Sequence, residues 1–150
     1  MKQRIALILF LVLVVGGGLA IGALMVPGEW YAGLVKPSFN PPGWLFAPVW
    51  TGLYVLIAVA GWRIWRRDPS SPAMKLWWGQ LVLNFLWSPA FFTAHQIGLA
   101  LAIVLLLLVS ILAFIAAASR QDRVAAWLFA PYAAWVAFAT ILNASILMLN

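Results

Sequence analysis

Long apolar runs separated by short polar turns organise this chain. The first run extends from about Ile5 to Met25, behind Lys2 and Arg4. It is longer than the apolar core of a signal peptide and has no clear small-x-small cleavage site, so it reads as a retained helix. The next segment, Pro27 to Trp44, holds Pro27, Pro37, Pro41 and Pro42 and cannot be one helix. A second run covers about Leu45 to Trp65 and ends at Arg63, Arg66 and Arg67, before a polar turn at Asp68–Pro72. A third covers Met74 to Thr93, with Pro89 predicting a kink near its end. His95-Gln96 marks a tight turn. A fourth run, Ile97 to Ala118, is almost entirely Leu, Ile, Val and Ala and reads as a lipid-facing scaffold. After Ser119 to Arg123, a fifth covers Val124 to Met148 and contains Pro131.

A spanning helix needs about 20 residues, so five spans use roughly 100. The chain has 150 residues, which leaves short loops and no room for a second, soluble domain. The expected fold is an all-α membrane protein, a five-transmembrane-helix bundle over residues 1–150. Composition agrees: 66% of residues are hydrophobic and 8% charged, far from a soluble average. Lys2, Arg4, Arg63, Arg66, Arg67, Lys75, Arg120 and Arg123 fall on one side of a five-span arrangement and Lys36 alone on the other, 8 against 1 of 9. The positive-inside rule then places the N-terminus in the cytoplasm and the Trp/Pro loop and C-terminus outside. The same rule accounts for the +6 net charge without nucleic acid. Helical spans point to a bacterial inner membrane, since outer-membrane spanning proteins are usually barrels.

Chemistry is first narrowed by what is missing. There are 0 cysteines, and Glu29, Asp68 and Asp122 all lie in loops, so no acid sits within a span for ion or proton coupling. His95 is the single histidine and reads as structural, with no partner for metal ligation or a nucleophilic triad. What remains is polar and aromatic. Phe46, Trp50 and Tyr54 share one face of the second helix. Asn84, Trp87, Ser88 and Phe91 recur at helical spacing on the third, and Tyr132, Trp135, Ala139 and Asn143 on the fifth. Asn84 and Asn143 are costly against lipid and should face inward. Two readings stand. One is aromatic core packing with Asn joining helices, which periodicity alone favours. The other is a cavity for a flat hydrophobic ligand. In the first helix Gly18 and Gly22 form a GxxxG pair, which allows close helix approach or is simply a small-faced stretch.

Four ordered stretches bring a family into view. They are Trp30-Tyr31-x-x-Leu34-x-Lys36-Pro37-x-x-x-Pro41-Pro42-Gly43-Trp44, and Val49-Trp50-Thr51-x-Leu53-Tyr54. The third is Gln80-Leu81-x-x-Asn84-x-x-Trp87-Ser88-Pro89-x-Phe91-Phe92, and the fourth Pro131-Tyr132-x-x-Trp135-x-x-Phe138-Ala139-Thr140-x-Leu142-Asn143. Together they resemble the TspO/MBR family, the tryptophan-rich sensory proteins related to the mitochondrial translocator protein. The resemblance covers nearly the whole chain. It implies five helices, often dimeric, around a ligand cavity capped by the first loop. It implies porphyrin, such as protoporphyrin IX or haem, as ligand rather than required cofactor, with lipid bilayer, tetrapyrrole and a second copy as partners. Matched position by position, it suggests Trp30, Phe39, Trp50, Tyr54, Asn84, Trp87, Phe91, Trp135, Ala139 and Asn143, and with Phe46, Tyr132 and Phe138 these make the candidate ligand-binding set. The reading is a tetrapyrrole-binding membrane protein that senses, carries or helps remove porphyrins, with transport as an alternative. Some bacterial members are linked to light-dependent porphyrin breakdown, so enzymatic activity stays open. So does a helical scaffold without a ligand. Some relatives are assigned to the outer membrane. Two departures stand out. Phe39 replaces a frequent Trp, losing an indole N–H. The last eight residues, Asn143 to Asn150, lack the aromatic and basic residues of the animal cholesterol motif.

Overall fold

The computed structural model describes residues 1–150 and contains helices and connecting turns only. Helix α1 spans Lys2–Leu24, α2 is a single turn at Glu29–Ala32, and α3 spans Gly43–Arg67. Helix α4 covers 72–93, α5 Ile97–Ser119 and α6 Arg123–Leu149. Four of these, α1, α3, α5 and α6, are long and apolar enough to cross a membrane. At 1.5 Å per residue, the 23 residues of α1 reach about 34 Å, enough for a hydrocarbon core of about 30 Å. Helix α4 is as long but carries Lys75, Gln80, Asn84 and Ser88, which lower its apolar content.

Local signals set the helix ends. Ser71 caps α4, its hydroxyl accepting from the Met74 N–H at 3.2 Å, with Pro72 in the first turn. Asp122 caps α6 by accepting from the Val124 and Ala125 N–H groups. The two prolines inside runs act differently. Pro89 opens a widened π turn over Pro89–Thr93, closed by the Ala94 N–H on the Pro89 carbonyl at 2.8 Å. Pro131 follows a break at Phe129, where α6 pauses for one residue and restarts at Ala130. Helix α1 also widens to π over Val12–Gly16. At His95 the chain turns through φ 55°, the left-handed region that side chains other than glycine avoid.

The long helices close into a ring in the order α1, α3, α6, α5, α4, with α4 returning to α1. The larger core cluster lies between them at the basic end, around Ile57, Trp77, Phe114 and Phe129. A smaller one, with Phe91, Leu142 and Ile146, lies at the loop end. Only 34 of 150 residues are buried, so most apolar side chains point outward, where hydrocarbon rather than water suits them. Helix α5 departs from a purely lipid-facing role. Ala100, Val104, Leu107, Ile111, Phe114 and Ala118 form a buried stripe on it. Because α5 is apolar all round, its pattern could not distinguish that face.

At the basic end Arg63 and Arg67 both reach the buried Asp122 carboxylate, at 2.9 and 3.1 Å. This ties α3 to the start of α6. Burial pushes that carboxyl up, but the Arg63 guanidinium, the Ala125 N–H and Arg67 outweigh it and hold it below the usual carboxylate range. At the opposite end, the Asn150 side chain accepts from the Val35 N–H at 3.0 Å and donates to the Val35 carbonyl at 2.8 Å. The first loop is thereby pinned to the end of α6.

Candidate functional site

A cavity of about 520 Å³ opens within the loop end of the ring. Each neighbouring element supplies a wall. Helix α3 contributes Phe46, Ala47, Trp50 and Tyr54, recurring every three or four residues on one face. Helix α4 contributes Asn84, Trp87, Ser88 and Phe92. Gly18, Leu19, Gly22 and Ala23 of α1 form a small-residue wall, and Val104, Leu107, Val136 and Ala139 complete the enclosure from α5 and α6. The loop lies across the top, with Pro27, Tyr31, Asn40 and Pro41 lining it. No acidic or basic side chain is among these residues. Size and lining match a pocket for a small hydrophobic ligand held by a few fixed polar groups.

Glycine makes the space possible on one side. A methyl on Gly18 would overlap the Tyr54 ring, so Tyr54 packs directly on the α1 backbone. Gly22, one turn later, meets nothing within 4 Å and looks into the cavity. The GxxxG pair therefore serves one close approach and one open wall.

Polar contacts hold the rings in place. Asn84 Nδ2 donates to the Tyr132 hydroxyl at 2.7 Å, and that hydroxyl donates to Gln80 Oε1 at 2.8 Å. Trp87 Nε1 donates to Asn143 Oδ1 at 3.0 Å, while Asn143 Nδ2 donates to the Ile97 carbonyl at 3.1 Å. The Trp50 ring lies 5.5 Å from Tyr54 and 6.4 Å from Tyr132. At the mouth, Lys36 Nζ sits 4.4 Å above the Tyr31 ring and donates to the Leu34 carbonyl. Burial pushes the Tyr31 phenol up, an effect the Asn40 side chain partly offsets.

Of the thirteen candidate residues, Phe46, Trp50, Tyr54, Asn84, Trp87 and Ala139 line the cavity. Tyr132 and Asn143 stand one layer behind, hydrogen-bonded to Asn84 and Trp87. Trp135 meets Phe46 edge-on at 5.9 Å, and Phe138 lies tilted against Trp135 at 5.5 Å. The Trp135 indole N–H is buried without an acceptor. Phe39 meets Phe138 edge-on at 6.2 Å. Trp30 turns away and stacks on His95 at 4.2 Å, with its edge toward Phe91. Phe91 is buried between Trp30 and Trp87. The α1 wall and the α5 pair were not among the candidates. GxxxG was the one signal for the former, and nothing in the uniform α5 sequence marks the latter.

Comparison with known proteins agrees with this architecture. The TspO/MBR family pattern matches residues 8–149. The tryptophan-rich sensory protein of Cereibacter sphaeroides is 38% identical over 150 residues, covering 100% of this chain and 95% of that protein. The human translocator protein is 40% identical over 134 residues, covering 84% of this chain and 79% of its own length. The tryptophan-rich protein TspO of Chlorobaculum tepidum is 38% identical across 95% of this chain and 97% of its own length. With apolar helices of spanning length and a match across nearly every residue, the chain is an integral membrane protein belonging to the TspO/MBR family.

Proposed function

We propose that this protein binds porphyrins and other flat hydrophobic molecules in the aromatic cavity, acting as a membrane sensor or regulator or in porphyrin removal. The observation that carries the reading is the cavity itself. It is about 520 Å³, flanked by Trp50, Trp87, Tyr54 and Phe92, with the carboxamides of Asn84 and, in the loop, Asn40, and no charge. Ring faces favour a planar π system, and a site without charged groups favours a neutral body over an ion. Lys36 at the mouth gives an acidic substituent of such a ligand a basic partner.

In this reading α4 is the fifth spanning helix. Its Gln80 and Asn84 are buried against other helices, so its polar groups do not meet lipid. The basic end, with Arg63, Arg66, Arg67, Arg120 and Arg123, lies in the cytoplasm of a bacterial inner membrane, and the loop and cavity mouth lie outside.

Titration of purified protein with protoporphyrin IX, followed by tryptophan fluorescence, tests the proposal. Saturable quenching at micromolar porphyrin is expected, lost in Trp50→Ala and kept in Trp127→Ala, whose ring is 75% exposed on the outer surface. Linear quenching of equal slope in all three proteins means that porphyrin only partitions into the micelle, and rules the reading out.

A further inference from the structure

We propose that Asn84, Tyr132 and Gln80 form a reversible hydrogen-bond chain that lets the cavity present either an acceptor or a donor to its ligand. The inference rests on the cavity being the ligand site and concerns how that site selects.

In the observed arrangement both bonds point one way. Asn84 Nδ2 donates to the Tyr132 hydroxyl, which donates to Gln80 Oε1. All three residues are buried. Asn84 lines the cavity, its Nδ2 is engaged, and its Oδ1 has no protein donor and is not sealed. A ligand therefore meets a carbonyl oxygen. At the other end, Gln80 Nε2 is sealed without a partner. An orphaned buried donor is costly, and an unpaired N–H is rarer in folded proteins than an unpaired C=O.

Carboxamide O and N are nearly the same size, and a hydroxyl both donates and accepts. Turning the two carboxamides by half a turn reverses the chain. Gln80 Nε2 then donates to Tyr132, Tyr132 donates to Asn84 Oδ1, and Asn84 Nδ2 faces the cavity. The number of bonds is unchanged, and the group left unpaired becomes a carbonyl. A single ligand hydrogen bond is then enough to choose between the two states. Gln80 never touches the ligand and acts as a positioning residue. The ligand class is a flat aromatic molecule with one polar atom at its edge, either an N–H or a carbonyl.

Three tricyclic probes of matched shape test this by calorimetric titration: carbazole with an N–H, fluorenone with a carbonyl, and fluorene with neither. Wild type is expected to bind carbazole and fluorenone each about 2- to 10-fold more tightly than fluorene, the worth of one neutral hydrogen bond. In Gln80→Met, the Tyr132 hydroxyl has only Asn84 Oδ1 to donate to, so the chain is held with Nδ2 toward the cavity. Fluorenone should keep its advantage while carbazole falls to the level of fluorene. A wild-type preference for carbazole alone means a fixed acceptor and overturns the inference without reference to any variant. Equal weakening of both probes in Gln80→Met also overturns it. Wild type that binds protoporphyrin saturably but does not distinguish the three probes sinks the chain and spares the cavity. If neither porphyrin nor any probe saturates, both fall.

Discussion

Replacing Asp122 with alanine removes a helix cap and the counter-ion of two arginines in one step. The carboxylate accepts from the Val124 and Ala125 N–H groups at 3.0 and 3.2 Å and from Arg63 and Arg67 at 2.9 and 3.1 Å. Loss of a cap costs about 1 kcal/mol. Breaking a fully buried ion pair costs about 3–5 kcal/mol, but the Arg63 and Arg67 side chains are 22% and 50% exposed, so about 2 kcal/mol is the appropriate scale. The sum is about 3 kcal/mol, or about 6–12 °C in melting temperature for a chain of this size. Asp122→Asn separates the parts, because Asn caps nearly as well as Asp but carries no charge. It should lose about 4–8 °C. Thermal unfolding in one detergent, followed by circular dichroism at 222 nm, reads both. Asp122→Ala melting within 2 °C of wild type refutes the account, and so does Asp122→Asn melting as low as Asp122→Ala. The same carboxylate gives a pH dependence. Its proton affinity is lowered by folding, so its contribution is complete above the unfolded value of 3.8 and is lost as pH falls through the lower folded value. The melting temperature of Asp122→Asn should therefore fall less than that of wild type between pH 5 and pH 2.

Other outcomes follow from single contacts. Gly18→Ala drives a methyl into the Tyr54 ring and should weaken protoporphyrin binding at least about 10-fold, whereas Gly22→Ala, with open space around it, should change it less than about 3-fold. Parallel fluorescence titrations decide this, and equal effects at both positions refute it. Gly61→Ala meets the indole of the buried Trp77, which donates to the Ile57 carbonyl at 2.9 Å, and should destabilise by about 1–3 kcal/mol. A melting temperature unchanged from wild type would contradict that packing. Asn150→Ala frees the loop at Val35 and should speed both association and dissociation of porphyrin with a smaller change in their ratio, measured by stopped flow. Unchanged rates would mean that the clamp does not control access.

Helix placement was legible because long, mostly apolar runs interrupted by charge and proline leave few alternatives, although only four of the helices are long and apolar enough to span a membrane. The aromatic face of α3 was equally plain, since Phe46, Trp50 and Tyr54 repeat at helical spacing and all three line the cavity. The contribution of α1 was half visible, as Gly18 and Gly22 showed a small face but not what it packs against. Periodicity assigns residues to a face but not to a depth. Tyr132 and Asn143 share the inward side of α6 with Ala139, yet Asn84 and Trp87 stand between them and the cavity. In the loop no period operates, and Trp30 is placed by a partner, His95, that is 65 residues away in the chain. The α5 wall was hidden for another reason. A helix made of Leu, Ile, Val and Ala on every side looks the same whether a face meets lipid, protein or empty space.

Leu19 of α1 belongs to the cavity lining and is 47% exposed. The α1 wall, made of small and apolar residues, separates the site from the bilayer there. Moving a greasy molecule across it exchanges one hydrocarbon-like solvent for another, and lipid tails are as apolar as leucine. Expulsion from water therefore concentrates such a molecule in the membrane without preferring the cavity. Selectivity over the surrounding lipid has to come from what lipid lacks, namely flat ring faces at fixed spacing and an oriented amide. Affinities compared across ligands will track these only when expressed per mole of lipid or detergent rather than per litre of buffer.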